Sequence, residues 1–133
     1  MRKVILFIAM SLDGYIADSN GGVEWVYSNF ITYVITHNKT KSTEKIRFTD
    51  KNPTKLLKEL KADNGKDIWI CGGANLISQL MREELIDIYY ISVIPTLLGK
   101  GIRLFGELEN EQKLFLIKSK SCNGIVELIY QHR

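Results

Sequence analysis

A pair of glycines stands where an apolar segment of the chain passes into a helical pattern. Gly72 and Gly73 separate the strand-like residues 67–71 from a helix that is predicted to begin at Ala74. A helix N-terminus offers free backbone N–H groups, and glycine, which has no Cβ, lets a phosphate approach the backbone closely. The G-x-G-x-x-G fingerprint of Rossmann domains is absent. Two interpretations therefore stay open, a pyrophosphate-binding turn and a tight turn with a purely structural role.

A second candidate is the loop 11–17, which follows the first apolar segment and carries Asp13 and Gly14. The Asp13 carboxylate could bind a hydroxyl or an amine of a substrate. A lone aspartate before glycine more often caps a turn through its own backbone. The spacing by itself therefore favours a structural role for Asp13.

Two further segments could contact a ligand. The loop 95–101 has two glycines after a proline, and its Lys100 could contact a phosphate, although a plain surface loop is an equally good interpretation. Thr36 to Lys39 follows a β-branched segment and could hold the 2′-phosphate of an adenosine, with a solvated polar loop as the alternative. No nucleophile triad, P-loop or metal-ligand cluster can be recognised, so no catalytic residue and no metal is predicted. The difficult chemistry of such an enzyme would belong to a bound cofactor.

The elements that position these loops can be predicted from apolar periodicity and turn residues. The unbroken apolar run 4–10 is typical of a central strand buried on both faces. Pro53 suits the first turn of a helix, and Asn123-Gly124 is a strong hairpin signal. The predicted strands are 3–10, 31–36, 45–49, 67–71, 87–94, 112–120 and 125–131, and the predicted helices begin near 53 and 74. This order predicts an α/β fold, a mixed and mostly parallel sheet with flanking helices and a C-terminal antiparallel hairpin.

Composition narrows the class of protein. The 133 residues suit one domain, and 45% hydrophobic with 25% charged residues is ordinary for a globular protein. The net charge of +3 is spread along the chain, so neither a nucleic-acid partner nor a membrane is predicted. Cys71 and Cys122 have no metal-ligand spacing and lie in strand-like segments, so we expect buried free thiols and a cytoplasmic protein.

Three motifs in this order resemble the dihydrofolate reductase-like family, in the branch of the reductase (C-terminal) domain of the bifunctional riboflavin-biosynthesis deaminase/reductase. The motifs are Ile8-Ala9-Met10-Ser11-Leu12-Asp13-Gly14-Tyr15-Ile16-Ala17 with Gly21-Gly22 and Trp25, then Ile70-Cys71-Gly72-Gly73-Ala74, then Pro95-Thr96-Leu97-Leu98-Gly99-Lys100-Gly101 with Leu104-Phe105. The resemblance covers both ends of the chain and most of its middle.

The resemblance implies a single domain over residues 1–133, NADPH as the hydride donor and a small heterocyclic or ribosylamino-pyrimidine or pterin-like substrate. By the same resemblance, the pyrophosphate would meet Gly72, Gly73 and Ala74, the nicotinamide would border Ile8, Ala9, Ile16 and Ala17, and Thr36 would lie near the adenosine phosphate. The substrate side would include Asp13, Trp25, Leu98 and Gly99. A homodimer is also expected from the family.

The chain departs from the family pattern after Trp25. Relatives carry there an acidic helix, a strand and a segment like Met-Gly-Arg-x-Thr, and this strand–helix block has no counterpart near residues 27–28. An arginine contact to phosphate is a charge-assisted hydrogen bond, so its loss would weaken NADPH binding. The missing block leaves one alternative to a reductase, a nucleotide-binding module of the same fold without turnover. A dimeric interaction domain is a second alternative, because the apolar strand 87–94 with Tyr89 and Tyr90 could form a dimer surface, although an ordinary core strand is preferred.

Overall fold

The apolar run near the N-terminus forms the central strand of the fold. The computed structural model describes residues 2–17, 31–37 and 41–133. Strand β1 (Val4–Ser11) buries Val4, Leu6 and Ile8 on one face. Its neighbours on both sides hold it by backbone hydrogen bonds, which makes it a central strand. The expectation that both of its faces are buried is wrong, because Ile5 and Phe7 are only half-buried and Ala9 is exposed.

The main sheet has five strands in the order β5-β1-β6-β9-β8. Strands β5 (Ile68–Ile70) and β6 (Ile88–Ile94) flank β1, and both run parallel to it. Strands β8 (Leu114–Cys122) and β9 (Ile125–His132) form a hairpin whose β9 pairs with β6 in antiparallel fashion. The predicted α/β fold with a mixed sheet and a C-terminal antiparallel hairpin is therefore confirmed.

Two helices cover one face of this sheet. Helix α1 (Pro53–Ala62) begins at the predicted proline, and the Asn52 side chain caps it by accepting a hydrogen bond from the Lys55 backbone N–H. Helix α2 (Ala74–Arg82) turns a strongly apolar face inward. The buried core comprises Val4, Leu6, Ile8, Leu57, Ile70, Ile77, Leu80, Met81, Ile86, Tyr89, Ile91 and Leu104. Burial raises the pKa of the Tyr89 phenol to about 12, so this core side chain stays neutral.

Two short strand pairings lie outside the main sheet. Strand β3 (Thr32–Ile35) pairs in parallel with β4 (Ile46–Thr49) in a separate two-stranded sheet, close to the predicted bounds. Strand β2 (Tyr15–Ala17) and strand β7 (Ile102–Arg103) pair in antiparallel fashion inside segments predicted as loops. These strands are too short to produce a period-2 pattern in the sequence.

The expectation that both cysteines are buried is wrong, because Cys71 and Cys122 are exposed. Cys71 follows β5, which is an edge strand of the main sheet and leaves Trp69 half exposed. Cys122 ends β8 at the hairpin turn, on the opposite edge of the sheet. Edge position, rather than the apolar character of each segment, explains both outcomes.

Candidate active site

Three loops lie together at the carboxyl ends of three adjacent strands, because these strands run in the same direction. This end of the strands is called the carboxyl edge below, and the opposite end is called the amino edge. Strands β5, β1 and β6 are parallel neighbours, so their carboxyl ends lie together. The segments that leave these ends are the loop with Asp13, the glycine pair 72–73 and the loop 95–101. All three sequence motifs thus lie at the carboxyl edge of the sheet, where ligands of open α/β proteins bind.

The glycine pair leads directly into the N-terminus of α2. Gly72 has a φ of +121°, a conformation that L-residues rarely adopt, and its peptide bond to Gly73 is cis. Gly73 is the N-cap of α2 and has no neighbouring heavy atom within 4 Å of the position that a Cβ would occupy. No side chain caps the helix there, and its first turn contains no acidic residue. Open backbone N–H groups and the helix dipole therefore suit an anion at this point.

Strand β1 places Ile8 beside the glycine pair and Ala9 on its opposite face. Ile8 is buried, and its Cδ1 lies 3.7 Å from the position of a Cβ at Gly72. Ala9 is exposed, although β1 is a central strand, with Ser92 of β6 as its partner in register. Phe7 shares the face of Ala9 and contacts the rings of Trp69 and Tyr90, so the small side chain of Ala9 lies next to an aromatic cluster.

The Asp13 carboxylate makes three hydrogen bonds within the protein. Its Oδ1 accepts from the Ser11 hydroxyl at 2.6 Å and from the Leu98 backbone N–H at 3.1 Å, and its Oδ2 accepts from the Gly99 N–H at 2.7 Å. The Ser11 hydrogen bond, followed by those from Gly99 and Leu98, lowers the pKa of Asp13 from its ordinary value although desolvation opposes the shift. Asp13, Leu98 and Gly99, all expected on the substrate side, are in direct contact with one another.

The remaining predicted residues are distributed over three places. Ile16 packs against the core from β2, and Ala17 ends that strand. Thr36 follows β3, and its backbone N–H donates to the Thr49 carbonyl at 2.8 Å. Trp25 lies outside the described residues. Lys100, expected to contact a phosphate, is exposed in the third loop.

Sequence reasoning missed two features of this edge. Ser11 is 5% exposed, and its hydroxyl both donates to Asp13 and accepts from the Tyr15 N–H at 3.0 Å. The guanidinium of Arg103 lies 5.2 Å from the centre of the Tyr15 ring, across the β2–β7 pair. The Ser-x-Asp spacing could have indicated the first feature. The second joins residues far apart in the chain, and no local pattern signals it.

The described residues contain neither a metal-ligand cluster nor a membrane-spanning helix. Nowhere within 2–17, 31–37 and 41–133 do three His, Cys, Asp or Glu side chains come together as a metal site would need. Neither of the helices described above is long and apolar enough to cross a membrane.

The thiol of Cys71, which directly precedes Gly72, has its pKa raised by desolvation, so it is a poor nucleophile at neutral pH.

Comparison with known proteins identifies relatives of the whole chain. The uncharacterized protein YwjB of Bacillus subtilis (strain 168) is 34% identical over an alignment of 169 positions that takes in 97% of each chain. This alignment is longer than the 133 residues of the present chain, so YwjB carries residues without a counterpart here.

Solved structures share the fold. A candidate riboflavin biosynthesis protein from Shewanella sp. PV-4 superposes with a TM-score of 0.83 at 24% identity, covering 98% of this chain and 99% of its own. The Thermotoga maritima diaminohydroxyphosphoribosylaminopyrimidine deaminase/5-amino-6-(5-phosphoribosylamino)uracil reductase gives a TM-score of 0.73 at 12% identity, with 99% of this chain matched to 57% of that one.

A family model described as the RibD C-terminal domain matches residues 28–128. The matched range contains the glycine pair and the loop 95–101, and the Asp13 loop precedes it. The chain therefore belongs to the RibD C-terminal domain family, a group of riboflavin biosynthesis reductase-like proteins with the dihydrofolate reductase-like fold.

Proposed function

We propose that this protein is an NADPH-dependent reductase that transfers a hydride to a C=N or C=O group of a small ribosylamino-pyrimidine-like or pterin-like substrate. The observation that carries the proposal is the meeting of three loops at the carboxyl edge of β5, β1 and β6, beside the uncapped N-terminus of α2. Family membership supports the reaction class, because the Thermotoga maritima protein with this fold is named a uracil-derivative reductase.

The cofactor pyrophosphate would lie at Gly72, Gly73 and Ala74. Space supports this placement, since the Cβ position of Gly73 has no protein atom within 4 Å. Charge supports it as well, because the first turn of α2 has no acidic side chain and the N–H groups there have no side-chain cap. The residues at this turn therefore fit a bound diphosphate.

The nicotinamide end would lie along β1. Ala9 is small and exposed on the central strand, and the buried Ile8 lies next to Gly72. When bound, NADPH supplies the hydride, and the heteroatom of the reduced bond takes up a proton. The chain's own residues hold the two ring systems against each other. Such positioning can lower a barrier substantially without a covalent step.

The substrate would enter between the Asp13 loop and the loop 95–101. Leu12, Leu97 and Leu98 are exposed there at 60%, 71% and 40%, which is unusual for leucine and suits contact with a planar heterocycle. In keeping with the family, we further propose that the protein acts as a homodimer in the cytoplasm, where it would have access to NADPH.

Cofactor binding tests this proposal directly. We expect titration calorimetry to detect NADPH binding that is tighter than NADH binding. Gly73→Val should weaken NADPH binding by about tenfold or more, because the new side chain occupies the proposed phosphate position. Gly106→Val is the matched control, since Gly106 also has no atom within 4 Å of its Cβ position and lies outside the proposed phosphate-binding turn. Equal affinity in both variants would contradict the pyrophosphate placement.

Turnover separates the reductase from its main alternative. The relative YwjB carries residues with no counterpart here, which favours as second candidate a nucleotide-binding module without turnover. We expect the protein to oxidise NADPH in the presence of 5-amino-6-(5-phosphoribosylamino)uracil, followed by the loss of NADPH absorbance. NADPH binding without oxidation by this compound, by pterins or by simple imines would favour the second candidate.

A further inference from the structure

The Asp13 carboxylate has little capacity left for a ligand. A carboxylate offers about four lone-pair positions, and three of those of Asp13 accept hydrogen bonds from Ser11, Leu98 and Gly99. The bonds from the Ser11 hydroxyl and the Gly99 N–H, at 2.6 and 2.7 Å, have the short lengths of charge-assisted hydrogen bonds. A substrate hydroxyl or amine would have to displace one of these donors.

The donors come from two distant parts of the chain. Leu98 and Gly99 lie 85 and 86 residues after Asp13, in the loop that leaves β6. Their N–H groups belong to an exposed loop and have no strand partner, because the next strand, β7, begins only at Ile102. Gly99 has a φ of +75°, a left-handed backbone conformation that glycine adopts without strain.

A second set of contacts holds the chain shortly after Gly99 and does not depend on the Asp13 side chain. Tyr15 of β2 pairs with Arg103 of β7, and the Leu104 N–H donates to the Gly14 carbonyl at 2.9 Å. These bonds do not involve the Asp13 side chain. Loss of the carboxylate should therefore release residues 98 and 99 and leave the β2–β7 pair in place.

We infer that Asp13 is a positioning residue, which holds the Leu98–Gly99 segment in place at the substrate side of the site and does not itself bind the substrate. The statement about the substrate rests on the proposed function. The positioning role of Asp13 rests on its three hydrogen bonds. Ser11, buried beneath the loop, orients the carboxylate through its hydroxyl. The two family motifs that contain Asp13 and Gly99 thus form one structural unit.

Amide exchange measured by NMR tests the inference residue by residue. We expect Asp13→Asn to speed exchange of the Gly99 N–H by about tenfold or more, and that of Leu98 by a similar factor, because an uncharged amide replaces the carboxylate that accepts both bonds. The Leu104 N–H should keep its protection. Asp87→Asn is the matched control, since Asp87 also accepts from a backbone N–H, that of Val4 at 2.7 Å, at the other end of the strands. Unchanged exchange at Leu98 and Gly99 in the Asp13 variant would overturn the inference.

A second variant and a spectroscopic signature keep the test decisive if Asp13→Asn does not fold. Ser11→Ala removes the shortest contact of the carboxylate and should speed exchange of the same two N–H groups by a smaller factor. In the wild-type protein, the amide resonances of Leu98 and Gly99 should shift together as acid titrates the carboxylate. A carboxylate with a merely general effect on stability would produce no such coupled shift, and its absence would contradict the inference.

Ligand measurements distinguish failure of this inference from failure of the proposed function. We expect Asp13→Asn to leave NADPH affinity within about twofold of wild type, and to raise the KM for 5-amino-6-(5-phosphoribosylamino)uracil by about tenfold while changing kcat less. A large loss of NADPH affinity in this variant would overturn the inference. Absence of NADPH binding by the wild-type protein would instead contradict the proposed function, and amide exchange would still decide the role of Asp13.

Discussion

The two edges of the main sheet use charged side chains in different ways. At the amino edge, where β1 begins, Arg2 donates to the Leu60 carbonyl in the last turn of α1 and to the Lys66 carbonyl after it, each at 2.7 Å. Asp67 accepts from the Lys3 N–H at 2.9 Å, and Asp87 accepts from the Val4 N–H. These charges therefore serve backbone groups that the ends of helices and strands leave without partners.

At the carboxyl edge, the backbone groups at the start of α2 are left without a side-chain cap. Glycines occupy the positions where side chains would otherwise cover them, and the Asp13 carboxylate binds a neighbouring loop. At the amino edge, charged side chains therefore stabilise the fold by hydrogen bonding to backbone groups. At the carboxyl edge, backbone N–H groups without a side-chain cap lie where the ligand is proposed to bind. Variants at the two edges should separate stability from affinity.

The largest effect is expected at Gly72, where one substitution should lower both stability and NADPH affinity. Gly72→Ala should lower the free energy of unfolding by roughly 2 kcal/mol, because a φ of +121° is unfavourable for an L-residue. It should also weaken NADPH binding, since any relief of this strain moves the turn before α2. Urea denaturation and calorimetry measure the two effects. Gly124→Ala, at a φ of +80° in the hairpin turn, should reduce stability alone. Loss of NADPH affinity in that control would break the comparison of the edges.

A smaller effect should appear at the amino edge without any change in affinity. Asp87→Ala leaves the buried Val4 N–H without its acceptor, which should cost about 1–3 kcal/mol of stability in urea denaturation. Lys61→Met removes only the ion pair to Asp87, of 3.4 Å, and should cost less than about 1 kcal/mol. NADPH affinity should stay at the wild-type value in both variants. Weakened binding in either would mean that the amino edge is not purely structural.

The smallest effect on stability is expected when the pH is lowered. The folded protein holds the pKa of Asp13 below its ordinary value of 3.8, so its contribution to stability is present above that pH and is lost as the pH falls through the folded pKa. The stability difference between wild type and Asp13→Asn should therefore shrink on acidification. Urea denaturation of both proteins from neutral pH into this range checks the sign. A difference that is constant over the range would contradict the hydrogen-bonding role of the carboxylate.

Local patterns predicted most of the scaffold. The Asn52-Pro53 start of α1 and the apolar face of α2 follow from residues within one or two helical turns. The hairpin turn was predicted from Asn123-Gly124, and both residues have the positive φ values that this dipeptide tolerates, 53° and 80°. The exposure of Cys71 was not predictable, because it depends on β5 being an edge strand and not on the apolar neighbours of the cysteine.

The site was predictable only as separate segments. The sequence indicated Gly72, Gly73 and the loop 95–101 as candidates, and the parallel order of β5, β1 and β6 places them at one edge. For Asp13 the local pattern favoured a turn closed by its own backbone, and the carboxylate does interact with its own backbone and with Ser11, but it also accepts from residues 85 and 86 positions away. A pattern of neighbouring residues contains no information about such a partner.

The sequence by itself determined where the longer strands and the helices form, where the hairpin turns and which segments could receive a phosphate, because these properties depend on side chains and backbone freedom within a few residues. Tertiary structure alone decided where the short strands β2 and β7 pair, which thiols are exposed and that Asp13 holds the segment at Gly99. Those outcomes depend on the order of strands in the sheet and on hydrogen bonds between loops far apart in the chain, and they exist only once the sheet has assembled.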